Sequence, residues 1–125
     1  MAAGTNGKAL TIVSGARTPM AEYSGSKGYG RLKDVTAIDL AATAAKAAME
    51  RGKVDPKAID HTIVGNATQS SNDALYGARH VSLKAGVPET VPALTVNRQG
   101  LRPISTTSAG MKFEGWKIVA MAYFA

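Results

Sequence analysis

The chemistry open to this chain is narrowed first by residue type. Its 125 residues include no cysteine and only two histidines, His61 and His80. Without cysteine there is no disulfide framework, no thiolate metal site and no thiol nucleophile. The histidines form no H-E-x-x-H pair, and no Ser-His-Asp arrangement follows from spacing, so both read as structural or surface residues. Gly25-Ser-Lys-Gly-Tyr-Gly30 has the glycine spacing of a phosphate loop. It is followed by Arg31-Leu32 where Lys and Ser/Thr are needed, and no strand immediately precedes it, so it reads as a surface loop. Ser24-Gly-Ser-Lys27 matches S-x-x-K without its companion motifs, and Asn66-Ala-Thr68 matches a glycosylation site without a secretion signal.

Composition adds bounds. The chain is 45% hydrophobic and 19% charged, the balance of a folding globular chain. Its length fits one domain at most. The net charge of +6 comes from scattered Lys and Arg with no basic run, which describes a solvated basic surface and not a nucleic-acid site. The start, Met1–Lys8, is small and polar, with no signal-like apolar stretch. The apolar run Trp116–Ala125 reaches about 15 Å at helical rise, half of a membrane core about 30 Å thick. A cytoplasmic chain with no membrane contact is the expectation.

Strand and helix signals alternate along the chain. Ala9–Val13 is apolar and β-branched, suited to a buried strand, and Ser14–Pro19 ends it. Ala21–Lys33 reads as loop. Thr36 can cap a helix with Asp39 three residues on, a variant of the capping box. On that helix Leu40, Ala44, Ala47 and Ala48 share a face, and Gly52 is placed to follow its end. Asp55-Pro56 opens a short helical turn. His61–Val64 reads as a second strand, ended by Gly65-Asn66. Asn72 or Asp73 can cap a second helix with Ala74, Ala78, Val81 and Ala85 on one face, ended by Gly86 and Pro88. Pro92–Val96 reads as a third strand, and Trp116–Phe124 is apolar enough for a fourth. The pattern is α/β: a parallel sheet of three to four strands with crossover helices. Ligands of such sheets bind beyond the carboxyl ends of the strands, which directs attention to Gly15–Pro19, Gly65–Ser71 and Asn97 onward.

An ordered set of these segments resembles the N-terminal part of a thiolase, an acetyl-CoA C-acetyltransferase or acyltransferase. Ile12-Val-Ser-Gly-Ala-Arg-Thr-Pro19 is similar to that family's first strand and A-R-T-P turn. Ile38-Asp-Leu40 through Ala48, with Val54-Asp-Pro56, resembles its first helix and the connection after it. Asp60–Asn66 with Gln69 resembles the V-x-G-N-x-x-Q segment. Ala78-Arg79 with Ala85–Pro88 resembles the second helix and its exit. Pro92–Arg98 resembles the strand leading into the active site. The likeness divides the chain into an N-terminal stretch 1–8, a thiolase-like part 9–98 and a divergent tail 99–125. It implies a thiolase-like fold represented by an incomplete N-terminal half.

The resemblance also implies a chemistry. In thiolases a cysteine follows Asn-Arg and one further residue, within C-G-S-G, and takes the acyl group from acyl-CoA. Here the chain reads Asn97-Arg98-Gln99-Gly100-Leu101. Either Gly100 stands at the cysteine position, or the Cys-Gly-Ser triplet is deleted after Gln99. Ile104-Ser105 is family-like in the second register. No catalytic residue is therefore assigned, and no cofactor or metal. Coenzyme A thioesters are the family's substrates. Asn66, Gln69, Asn97 and Arg98 correspond to positions near the family's subunit interface, so a homo-oligomer or a full-length thiolase is an expected partner. The tail from Met111 reads either as a degraded strand or as foreign sequence similar to the start of a major-facilitator transporter.

Overall fold

A computed structural model describes residues 11–19, 30–66 and 74–97, and the backbone of 118–123. Its elements are α1 (Ala37–Gly52), a 3-10 turn Pro56–Ala58, β1 (His61–Asn66), a 3-10 turn Ala74–Tyr76, α2 (Gly77–Ala85), β2 (Ala93–Val96) and β3 (Ile118–Tyr123). The three strands form one parallel sheet in the order β2-β1-β3. β1 is central: Thr62–Gly65 pair with Ala93–Val96 on one side, and His61–Asn66 pair with Ile118–Tyr123 on the other. α2 packs over β1 and β2, while α1 packs against α2 and runs beside β3.

The local signals that start and stop these elements are mostly those of the sequence. Thr36 is extended, and its hydroxyl accepts from the Asp39 amide at 3.1 Å and donates to the Asp39 carboxylate at 2.7 Å. It thereby satisfies one of the helix's orphan donors. Asp55 does the same for the turn at Pro56, accepting from the Lys57 amide at 2.9 Å. Gly86 ends α2 with φ 92°, and the amides of Gly86 and Val87 donate back to Leu83 and Ser82. A left-handed residue at this place is the ordinary use of glycine.

α1 ends differently from the expectation. Gly52 stays inside the helix, and Lys53 takes the left-handed conformation with φ 51°. The glycine answers a packing need instead. A Cβ at Gly52 would stand 3.0 Å from Ser14 Cβ and 3.2 Å from a Val13 methyl. The buried stripe of α1 is also rotated. Ala41, Ala42, Ala45 and Met49 are buried, whereas Leu40, Ala44, Ala47 and Ala48 are only half-buried. Alanine occurs on every side of this helix, so spacing alone does not choose a face. Ile38 and Met49, the bulkier groups, set it.

Ala9–Val13 departs further from its expected strand. Its described part, Thr11–Val13, belongs to no strand, and Ile12 is 94% exposed. Both edges of β1 are already taken, one by β2 and one by β3, so no central edge remains for it. The apolar tail supplies that strand, as its composition allowed.

The core lies between helices and sheet. Ala41, Val64, Ala78 and Val81 form one cluster, joined by Ile38 and Ala93. Ala45, Met49, Ile59, Ala85, Val87 and Val91 form a second. Ala78 and Ala85 let α2 approach β1 closely, and within this contact the Thr62 hydroxyl donates to Ser82 Oγ at 3.1 Å, fully out of water.

Candidate functional site

In a parallel sheet the carboxyl ends of all the strands lie on one side, and the crossover helices return the chain to the other. The carboxyl ends of β1 and β2 therefore present their next residues together. The register Gly65↔Val96 sets Asn66 and Asn97 side by side as the residues that follow. Asn66 is buried at the last position of β1, opposite Tyr123 of β3, and Asn97 is exposed just past β2. These two of the expected interface residues are thus brought to one place. Gln69, Arg98, Gln99 and Gly100 lie outside the described residues, as do Asn72 and Asp73.

Two contacts hold β2 in position against α2, and neither was evident from spacing. Thr95 of β2 points its hydroxyl at the first turn of α2 and accepts from the Ala78 amide at 3.0 Å. It replaces the cap that Tyr76 does not provide. Arg79 reaches the connection after α2, donating to the Val91 carbonyl at 3.0 Å and the Glu89 carbonyl at 2.6 Å. The Ala78-Arg79 pair singled out in the sequence is therefore a brace between α2 and the entry to β2.

Among the described residues, little else at this end can do chemistry. His61 opens β1 at the opposite, amino end, half-buried, with Nδ1 3.2 Å from the Thr62 carbonyl oxygen. His80 is half-buried on α2. No group of His, Asp or Glu that could hold a metal occurs among the described residues. The carboxyl group whose titration is clearly displaced is Asp39, and it is on the surface. Hydrogen bonds from Lys84 and Thr36 hold it below the ordinary value of 3.8. An open groove of about 530 Å³, lined by Lys46, Glu50, Lys53 and Asp55 around Met49 and Val54, lies where the helices end and the strands begin. It is on the side of the sheet away from Asn66 and Asn97. No described helix is long and apolar enough to cross a membrane.

The parallel sheet fits the fold that the sequence resemblance implies, and comparison with known proteins decides the family. Residues 10–112 match the family described as "Thiolase, N-terminal domain". The chain belongs to the thiolase family. It is 50% identical over 91 residues to the mitochondrial 3-ketoacyl-CoA thiolase of Homo sapiens, covering 73% of this chain and 22% of that protein. It is 37% identical over 108 residues to the acetyl-CoA acetyltransferase of Escherichia coli, covering 84% of this chain and 26% of that protein. Among solved structures, human mitochondrial 3-ketoacyl-CoA thiolase in complex with CoA superposes with a TM-score of 0.61 at 52% identity, over 68% of this chain and 20% of that one. The acetyl-CoA acetyltransferase of Bacillus anthracis superposes with a TM-score of 0.64 at 33% identity, over 78% of this chain and 24% of that one. The chain thus spans about a fifth to a quarter of the length of these thiolases.

Proposed function

We propose that this thiolase-family chain builds the strand ends beside an acyl-transfer site but does not transfer acyl groups by itself. The observation that carries this is the absence of cysteine from all 125 residues. In the family's reaction a cysteine thiolate attacks the acyl-CoA carbonyl, a new thioester bond forms, and the coenzyme A thiolate leaves and takes up a proton. Acetyl-CoA carbanion or coenzyme A then accepts the acyl group. Gly100, or the junction after Gln99, offers no side chain that accepts an acyl group. Ser105 is a nearby hydroxyl in sequence, with no base identified to activate it. The test is loss of acetoacetyl-CoA in the presence of coenzyme A. The purified 125-residue chain should match a heat-killed control, and turnover above that control would overturn the proposal.

A second reading rests on a different observation. Asn66 and Asn97 meet at one end of the sheet, and Leu75 and Tyr76, at the entry to α2, are 78% and 70% exposed. A chain with such a surface serves as an interaction module that pairs with itself or with a full-length thiolase. Size-exclusion chromatography with light scattering distinguishes this reading. A dimer, or a co-eluting complex with an added thiolase, supports it, and strictly monomeric elution in both runs counts against it. Coenzyme A binding through the basic surface is the remaining option, and titration calorimetry showing no heat with coenzyme A would remove it.

A further inference from the structure

β1 has two edges, and two segments of the chain are suited to one of them. β3 holds that edge from His61 to Asn66. Thr11-Ile12-Val13 is as β-branched as a strand can be, yet it is in no strand, and Ile12 and Val13 are 94% and 65% exposed. The placement of α1 links this segment to the edge. A strand that crosses to a parallel neighbour through a helix does so right-handedly, with the helix lying over the strands it joins. α1 leads into β1 and runs beside β3. The position held by β3 is therefore the one from which a strand preceding α1 would cross to β1.

The present hold on the segment is slight. The Ser14 hydroxyl donates to the Ala48 carbonyl, and Arg51 Nη1 donates to the Gly15 carbonyl at 3.2 Å on the surface. Both bonds attach the segment to the carboxyl end of α1 while Ile12 and Val13 remain in water. We propose that this edge of β1 is a shared docking site, at which Thr11–Val13 and the strand Ile118–Tyr123 exchange. Neighbouring strands stand about 4.8 Å apart, so only one of them pairs with β1 at a time. In the structure the tail strand is in place. When it leaves, Thr11–Val13 enters, and the two bonds to Ala48 and from Arg51 are given up.

Hydrogen exchange on the full chain tests this. Val119→Pro with Ala120→Pro disables β3, because successive strand amides point to opposite sides and one of the two must face β1. The expected result is that the amides of Thr11–Val13 slow by about 10-fold or more while those of β1 stay protected. Adding Ile12→Pro should then expose the β1 amides. Fast exchange at Thr11–Val13 with β1 deprotected, in a chain whose helices remain folded, overturns the proposal. If the double-proline chain loses its helical circular dichroism, Ala122→Gly, which weakens β3 without blocking it, is read in the same way. Slower exchange at Thr11–Val13 supports the exchange, and an unchanged rate there overturns it.

Discussion

The contact between Thr62 and Ser82 makes the packing account testable in one experiment. Thr62 is 1% exposed and Ser82 is 0% exposed, and the bond between their hydroxyls joins the central strand to α2. Ser82→Ala removes the acceptor and leaves the Thr62 hydroxyl buried without it, which costs about 1–3 kcal/mol. Thr62→Val keeps the shape and removes the other partner. Its cost is smaller, about 1 kcal/mol, because a helical serine can turn to the carbonyl four residues back. The double variant replaces both partners by apolar groups and leaves no orphan, so it should lose no more than about 1 kcal/mol. Urea unfolding followed by circular dichroism gives the three differences. The double variant should be more stable than the sum of the single losses by about 1–3 kcal/mol, in the direction of mutual rescue. Additivity within about 0.5 kcal/mol would refute the claim that these hydroxyls satisfy each other inside the core.

Three further outcomes follow from the surface and the caps. Asp39 is held below 3.8 by Lys84 and Thr36, so it stabilises the fold above that pH and the contribution disappears as pH falls through the lowered value. Lys84→Met should therefore lower the urea midpoint near neutral pH, and its effect should shrink as pH falls through the lowered value and the carboxyl takes up its proton in the folded state. Lys53→Gly relieves a left-handed residue with φ 51° at the end of α1 and should stabilise by about 0.5–1 kcal/mol in the same urea assay, glycine's greater chain entropy offsetting part of the gain. Gly52→Ala should gain helix propensity of about 1 kcal/mol yet push away Ser14 and Val13, so trypsin cleavage at Arg17 should accelerate while the urea midpoint hardly falls.

Much of the fold was legible because its signals are local. Thr36 with Asp39, Asp55 before Pro56, and Gly86 after Ala85 each act on amides or carbonyls within a few residues, so spacing reveals them. His61–Asn66 and Ala93–Val96 were legible as strands from short apolar runs with clear stops. Three features depended on distant groups. The buried face of α1 is set by where Ile38 and Met49 pack, and alanine spread around the helix hides that choice. The fate of Ala9–Val13 depends on a competitor more than a hundred residues away in sequence. Thr95 looks like an ordinary strand residue until α2 is laid across it. At the candidate site, the rule that parallel strands end together directs attention to the stretches holding Asn66 and Asn97, and the register sets these two side by side. The residues around Gly100 were legible only as a departure from the thiolase pattern.

A thiolase-family chain without cysteine lacks the acyl acceptor of the family's reaction. The most direct measurement incubates the purified 125-residue chain with acetoacetyl-CoA and coenzyme A and follows both thiolysis and acyl transfer to protein by intact mass. The expected result is no thiolysis above a heat-killed control and no acetyl or acetoacetyl adduct on the chain. Sustained turnover, or an acyl group found on any side chain during it, would contradict the claim.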